Sequence, residues 1–156
     1  MLRTQTGPLF AVLDAARDPR VLELLRESVE PHHLLFEGTQ GEALAEQAPY
    51  LVELPPETRL LDKLVLEGWG KRWGIYLTSP RPLRDVRRHL RRFLMVQDEA
   101  TGERLYFRFF DPRVLEGFLA ESNLRQREQL FSDITAFFAE GDGGSVLRFS
   151  PNPGEA

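Results

Sequence analysis

The side chains that could do chemistry are densest in the segment RFFDPRVLEGF, which begins at Arg108. Arg108 and Asp111 place a cation and a carboxylate close together, as a catalytic or binding site would. Asp111 also precedes Pro112, just as Asp18 precedes Pro19 near the start of the chain. An aspartate followed by a proline at the first helical position is typical of a helix N-cap. We therefore expect Asp111 to cap a helix.

Arg108 lies in the apolar run LYFRFF, which predicts a strand from Leu105 to Phe110. Alternation with a period of two residues puts apolar side chains on both faces of this strand, so we expect it to be central and covered on each side. An unpaired buried charge is very costly, and the guanidinium therefore needs a partner. We expect a buried or half-buried ion pair, with Asp14 at the end of the first predicted strand as the candidate partner.

The histidines do not form a recognisable catalytic or metal-binding set. His32 and His33 are neighbours in a predicted strand and point to opposite faces, so one metal ion could not easily take both, even with Glu37 nearby. Spacing indicates no third ligand, and we expect no metal and no cofactor. His89 is expected on the flank of a helix as a surface residue.

Other catalytic motifs do not appear in the sequence. No serine lies in a G-x-S-x-G motif, and the glycines of EGWGKRWG lack the lysine pattern of a phosphate-binding loop. That segment predicts a turn that admits Trp69 and Trp73. The carboxylates are scattered, so we expect a non-enzymatic protein. A small hydrolase with a cryptic pocket stays open as an alternative.

The segment PLRDVRRHLRRF, residues 82–93, predicts an amphipathic helix with a basic face. At 100° per residue the apolar side chains form one stripe, and the arginines gather opposite it: Arg84, Arg87, Arg88, Arg91 and Arg92. This face is either a solvated surface or a docking surface for an acidic partner, with Arg84, Arg87, Arg88 and Arg91 as candidate partner-binding residues. A nucleic-acid-binding module is a further alternative. The acidic chain and the absence of interleaved aromatic residues argue against it.

The composition is that of an ordinary globular protein of 156 residues, with 42% hydrophobic and 28% charged residues. A net charge of −4 gives no general attraction to nucleic acid or to an anionic membrane. Cysteine is absent, which excludes disulfides and thiolate metal sites. The first apolar run, LFAVL, is too short for a signal peptide or a membrane span. We expect one cytoplasmic domain over residues 1–150 and a disordered tail over residues 151–156.

Strand and helix patterns alternate along the first two thirds of the chain, and hairpins follow. The predicted strands are residues 9–13, 33–37, 50–54, 73–78, 94–97, 105–110, 134–139 and 146–149. The predicted helices are residues 19–29, 60–68, 82–93, a helix from residue 112, residues 123–131, and one or two turns within 42–47. The fold class is therefore α/β, a single compact domain with a mixed β-sheet flanked by helices and a C-terminal β-hairpin.

The C-terminal hairpin offers a second way to bind a partner. Phe137 and Phe138 face opposite sides of its first strand, so one of them is expected to be exposed or covered by a partner. An exposed strand edge there could accept a strand from another protein. Phe137 is the candidate contact.

Four segments together resemble a known family: LFAVLDAARD, PYLVEL, WGIYLTSPRPLRDVRRHLRRFL and LYFRFFDPRVLEGFL. In this order and spacing they are similar to the effector adaptors, or chaperones, of bacterial type VI secretion systems, long catalogued only as a domain of unknown function. The resemblance runs from Leu9 to Phe149. It implies a non-catalytic cytoplasmic protein without a cofactor that binds a toxic effector protein and helps to load it onto the VgrG spike protein.

The resemblance also marks individual positions. Those that match the family motif are Asp14, Pro49, Trp73, Gly74, Leu90, Arg108, Asp111 and Pro112. Most of them are expected to determine the fold instead of contacting a partner. Many members carry a further C-terminal lobe that is thought to engage the effector, whereas this chain ends soon after its last predicted hairpin. It is either a minimal adaptor or the shared domain alone.

Overall fold

The structure, a computed structural model, describes Leu2 and residues 7–36, 45–97 and 100–152. Within these residues the strands in chain order are β1 (Leu9–Asp14), β2 (His32–Leu34), β3 (Pro49–Leu54), β4 (Gly74–Thr78), β5 (Met95–Gln97), β6 (Arg104–Tyr106), β7 (Ala136–Glu140) and β8 (Val146–Phe149). Six of them form one sheet in the order β2-β3-β1-β4-β7-β8, while β5 and β6 pair with each other as a separate hairpin. Every pair of these strands is antiparallel.

Five α-helices accompany the strands in the described part of the chain: α1 (Pro19–Glu27), α2 (Leu60–Gly68), α3 (Leu83–Arg91), α4 (Pro112–Glu121) and α5 (Leu124–Leu130). Short 3-10 turns occupy residues 45–47 and 142–144. None of the helices in the described residues has the length and apolar character needed to cross a membrane.

The six-stranded sheet separates two hydrophobic cores. Apolar residues of α1 and α2 pack on one face, and apolar residues of α3, α4 and α5 pack on the other. The side chains of strand β1 contribute to the cores on both faces of the sheet. Leu9, Ala11 and Leu13 enter the first core, whereas Phe10 and Val12 enter the second. A strand that is covered on both sides can be apolar at every position, which explains the unbroken run LFAVL.

Single residues determine where α1 begins and how closely β4 can approach β1. The Asp18 carboxylate accepts a hydrogen bond of 2.9 Å from the Arg20 amide and caps α1. At the start of β4, a Cβ atom on Gly74 would lie 2.0 Å from the Val12 carbonyl oxygen. Only glycine allows β4 to come this close to β1, which gives a structural reason for this family-motif position.

The predicted α/β class is confirmed: one compact domain with a sheet between helices and a C-terminal hairpin of β7 and β8. The sheet is antiparallel between all its described strands, so the parallel pairing that a mixed sheet includes is not seen there. Part of the predicted turns at 42–47 and of the strand at 33–37 lies outside the described residues, as do residues 153–156 of the predicted tail.

The strand predicted from Leu105 to Phe110 is wrong in length and position. Strand β6 ends at Tyr106, and its residues are exposed in a hairpin apart from the main sheet. Residues 107–110 instead turn toward α4, and this turn lets Phe109 and Phe110 both enter the same core with no exposed surface. Two consecutive side chains in one core are incompatible with strand alternation, which is why the pattern misled.

Candidate functional site

Asp14 is the most buried carboxylate among the predicted site residues, with 2% of its surface exposed. It is the last residue of β1, and its backbone amide donates to the Trp73 carbonyl oxygen at 2.7 Å. One carboxylate oxygen accepts from the Ala16 amide at 3.0 Å, and the other accepts from the Arg108 guanidinium. Burial raises the pKa of Asp14 above its ordinary value of 3.8, and the Arg108 charge only partly offsets this effect.

The predicted ion pair between Arg108 and Asp14 is confirmed, whereas the strand predicted to carry Arg108 is not. Arg108 does not lie in a central strand. Its side chain is 43% exposed. The guanidinium lies over the rings of Tyr106 and Phe110, at 5.8 and 5.2 Å from their centroids. The turn of residues 107–110 therefore places the Arg108 guanidinium at the end of β1. Arg108 connects the hairpin of β5 and β6 to the main sheet, because it contacts Tyr106 in the hairpin and Asp14 in the sheet.

Asp111 caps α4 as predicted. Its carboxylate accepts a hydrogen bond of 2.9 Å from the Arg113 amide, and Pro112 stands at the first helical position. Burial alone would raise the pKa of Asp111, but the Arg113 amide and guanidinium outweigh burial and lower it. Arg17 approaches the same carboxylate at 3.9 Å. Asp14 and Asp111 thus connect neighbouring chain segments through amides and arginines, and neither carboxylate is left exposed as a general base.

Trp73 and Trp69 occupy the turn that EGWGKRWG predicts. Trp73 is buried against Gly68, where a Cβ atom would lie 2.3 Å from the indole ring. Trp69 packs on Tyr76 with ring centroids 6.1 Å apart, and its indole N–H donates to the Gly144 carbonyl oxygen at 3.0 Å. The turn therefore joins α2 to the loop before β8, and glycine at position 68 is required by space.

His32 and His89 both make contacts inside the fold. His32 meets Tyr50 edge to face at 5.4 Å, and burial lowers its pKa. His89 was expected at the surface but is half-buried, with Nε2 2.7 Å from the Leu130 carbonyl oxygen, so it ties α3 to α5. Across the described ranges no three residues among histidines and acids gather in a way that could hold a metal ion. Glu37 lies outside those ranges.

The basic face of α3 is only partly available to a partner. The Arg87 guanidinium donates to the carbonyl oxygens of Leu34 and Phe36 at 2.7 and 3.4 Å, which fixes the chain after β2 to this helix. Two of the Arg87 donor groups therefore serve the backbone, so this candidate docking residue also has a structural role. Arg84 and Arg88 are exposed, as is Arg92 at the end of the helix, and Arg91 is half-buried.

Phe137 as an exposed contact is also wrong. Both Phe137 and Phe138 have no exposed surface, because β7 lies between β4 and β8 with a core on each face. The strand at this edge of the sheet is β8, which pairs with β7 alone among the described strands. Sequence patterns identified the hairpin but could not show which of its two strands is outermost.

Arg127 is a buried side chain that the sequence did not single out. It is 8% exposed, and its guanidinium donates to the carbonyl oxygens of Ser150, Pro151 and Leu119 at 2.7 to 3.3 Å. Its guanidinium also lies over the Phe131 ring at 5.4 Å. Arg127 therefore fastens the end of β8 to α4 and α5.

An apolar groove of about 570 Å³ runs beside the edge strand β8. Its lining comes from α2, from the turn after it, from the chain at the start of β8 and from Leu2: Leu61, Asp62, Val65, Leu66, Trp69, Gly144, Val146 and Leu2. Val65 and Leu66 are 40% and 86% exposed. Val65 continues the apolar stripe of Leu61 and Leu64, whereas Leu66 lies outside it. This departure of Leu66 from amphipathic spacing is the signal in the sequence that could have found the groove.

The comparisons with known proteins bear on this geometry. Residues 9–129 match the family described as "Domain of unknown function (DUF4123)". The chain belongs to this family. The match includes β1 through α4 and nearly all of α5, together with Asp14, Arg108 and Asp111. It stops before β7 and β8, so one wall of the groove comes from outside the matched region. Neither a curated protein nor a solved structure matches the chain.

Proposed function

We propose that this chain is a non-enzymatic cytoplasmic adaptor that binds a toxic effector protein of a type VI secretion system and helps to load it onto the VgrG spike protein. Family membership and the resemblance to type VI effector adaptors support this function. So does the location of Asp14, Arg108 and Asp111, which hold the fold together through arginines and backbone amides.

The apolar groove beside β8 is the observation that carries the proposal. An adaptor needs a surface that recognises another protein, and apolar side chains that fold into no core mark such a surface. In the groove, Leu66 is 86% exposed next to the indole of Trp69 and the side chain of Val146. The neighbouring edge strand β8 presents backbone donors and acceptors that a partner strand can pair with.

The decisive experiment measures binding of this chain to VgrG and effector proteins of a type VI secretion system from the same bacterium. The purified chain is immobilised, and the Kd for each protein is measured by biolayer interferometry. Leu66→Glu and Val65→Glu place charges in the groove and are expected to weaken binding of one partner about tenfold or more. Val29→Glu is the matched control, because Val29 is 92% exposed and does not line the groove.

The possible results of this binding experiment test the adaptor function and the position of its binding site separately. If the unmodified chain binds neither protein, and cells without the gene still secrete the effector, the adaptor function is wrong. If binding occurs but both groove variants bind as tightly as the Val29→Glu control, the function stands and the groove is not its site. Circular dichroism melting of each variant shows whether a lost interaction reflects lost folding instead.

A further inference from the structure

The side chain of Leu2 lies between two cavities on the side of the sheet that carries the first core. One is the groove beside β8, of about 570 Å³, and the other is a cavity of about 400 Å³ beside the start of β1 and the end of β3. Among the described residues, Leu2 and Leu61 are the two that line both cavities. The cavities therefore adjoin at these two leucines.

Leu2 is buried, but it is attached to the fold by its side chain. It is 6% exposed and belongs to the first core, yet it lies in none of the strands or α-helices. Within the described ranges no hydrogen bond joins Leu2 to another residue. Moving Leu2 would therefore break no hydrogen bond of the sheet or helices and would mainly expose one leucine side chain. Leu61, in contrast, is part of α2 and cannot leave without unfolding that helix.

Exposed apolar residues lie on both sides of Leu2. Val65 and Leu66 are exposed in the groove beside β8, and Pro8 and Pro56 are exposed in the smaller cavity. An apolar segment of a partner protein would cover both sets at once if one of its side chains took the place of Leu2. A site that holds a leucine side chain has the size and the apolar lining for a similar side chain of another protein.

We propose that Leu2 is an exchangeable occupant of the groove beside β8, and that an apolar side chain of the partner replaces it when the partner binds. The two cavities then form one longer groove. This inference rests on the proposed adaptor function and describes how its binding site is regulated. Because Leu2 competes for the site, it lowers the apparent affinity of the groove for its partner.

A single introduced thiol tests whether Leu2 leaves its site, since the chain contains no cysteine. Leu2→Cys in the full chain is treated with iodoacetamide, and mass spectrometry gives the rate of alkylation. Val29→Cys and Val52→Cys are the controls, because Val29 is 92% exposed and Val52 is fully buried in β3. The thiol at position 2 is expected to react at least about tenfold more slowly than the thiol at position 29.

The thiol at position 2 is also expected to react at least about tenfold faster than the thiol at position 52, because it needs only a local displacement. Reaction at position 52 requires the sheet to open. Low concentrations of urea are therefore expected to speed alkylation of Val52→Cys and to leave that of Leu2→Cys nearly unchanged.

Leu2→Ala tests the competition. It is expected to bind the dye anilinonaphthalene sulfonate, a probe of exposed apolar surface, about threefold or more tightly than the unmodified chain. The same gain is expected for whichever of VgrG and effector uses the groove, and adding Leu66→Glu is expected to remove it. Leu124→Ala is the matched control, because Leu124 is 63% exposed and lines neither cavity. Circular dichroism melting shows that each variant is folded at the temperature of the assay.

Four results would contradict the proposal. Alkylation of Leu2→Cys as slow as that of Val52→Cys, with the same urea dependence, would make Leu2 a fixed part of the core. Alkylation as fast as that of Val29→Cys would show that Leu2 does not fill the groove. A folded Leu2→Ala variant that binds dye and partner no more tightly would remove the competition. An alkylation rate that changes with protein concentration would identify a second copy of the chain as the occupant.

The alkylation and dye measurements need neither VgrG nor effector. If Leu2→Cys and Leu2→Ala behave as expected in these assays but no variant binds either protein, Leu2 occupies the groove and it is the adaptor function that fails.

Discussion

Replacing Arg108 by methionine tests whether the Asp14 ion pair stabilises the fold. Methionine retains an apolar stem over Phe110 but leaves the Asp14 carboxylate without its cation. At an effective dielectric constant of about 20, two unit charges about 4 Å apart interact by about 4 kcal/mol. Arg108 is 43% exposed, so solvent screening reduces the expected loss at pH 7 to about 2 kcal/mol. For a chain of this size that loss lowers the Tm by about 4 to 8 °C.

The loss has a defined pH dependence. In the native protein burial already raises the pKa of Asp14, and removing Arg108 raises it further. A carboxyl whose folded pKa is raised contributes stability below its unfolded pKa and loses that stability as pH rises through the folded pKa. The variant is therefore weakest relative to the native protein near pH 7. The difference is expected to be smaller at an acidic pH close to the ordinary aspartate value of 3.8, because the buried carboxyl, whose pKa is raised, takes up a proton as the pH falls from about 7 to that value.

Urea denaturation followed by circular dichroism at both pH values provides the measurement. Arg84→Met is the matched control, because the Arg84 side chain is 82% exposed, and it is expected to change stability by less than about 0.5 kcal/mol. In a double-mutant cycle, Asp14→Asn is expected to recover part of the loss caused by Arg108→Met. A loss below about 0.5 kcal/mol at pH 7, or an equal loss at both pH values, would refute the electrostatic reasoning.

Three further changes test other contacts by the same urea assay. Asp111→Ala removes the cap of α4 and is expected to cost about 1 kcal/mol, whereas a change below about 0.3 kcal/mol would show that the cap is dispensable. Phe137→Ala empties a fully buried site and is expected to cost about 3 to 5 kcal/mol, which an exposed contact residue would not. Gly74→Ala places a methyl group against the Val12 carbonyl oxygen and is expected to lower the Tm by more than about 10 °C. An unchanged Tm would mean that β1 and β4 can separate without cost.

Features that depend on neighbouring residues could be predicted from the sequence. The Asp-Pro pairs at residues 18–19 and 111–112 both begin helices, since cap and proline act within a single turn. The unbroken run LFAVL indicated a buried strand, and β1 lies inside the sheet. The Asp-Pro caps and the LFAVL run act through residues close in sequence, and the tertiary packing favours the same helices and strand that these local patterns predict.

Features that depend on strand order could not be predicted in the same way. Phe137 has the same local pattern in an edge strand and in an inner one, and the pairing of β7 with both β4 and β8 decides between them. LYFRFF has a strand-like pattern, but a turn that places Phe109 and Phe110 in one core buries more apolar surface. The Arg108 partner was correct because a charge near a core needs one, and Asp14 is available at the end of β1.

The charged residues that first drew attention act mainly on the backbone or on each other, and this bears on how the protein recognises partners. Arg87 and Arg127 donate to main-chain carbonyl oxygens, while Asp14 and Asp111 accept from main-chain amides. Arg87 fixes the chain after β2 to α3, and Arg127 fastens the end of β8, the strand beside the groove, to α4 and α5. Trp69 and Val146 of the groove pack on the first core, while Phe107 and Phe110 beside the hairpin of β5 and β6 pack on the second. For the proposed adaptor function, this arrangement leaves partner recognition to exposed apolar side chains and to the edge strand β8, and not to the charged residues.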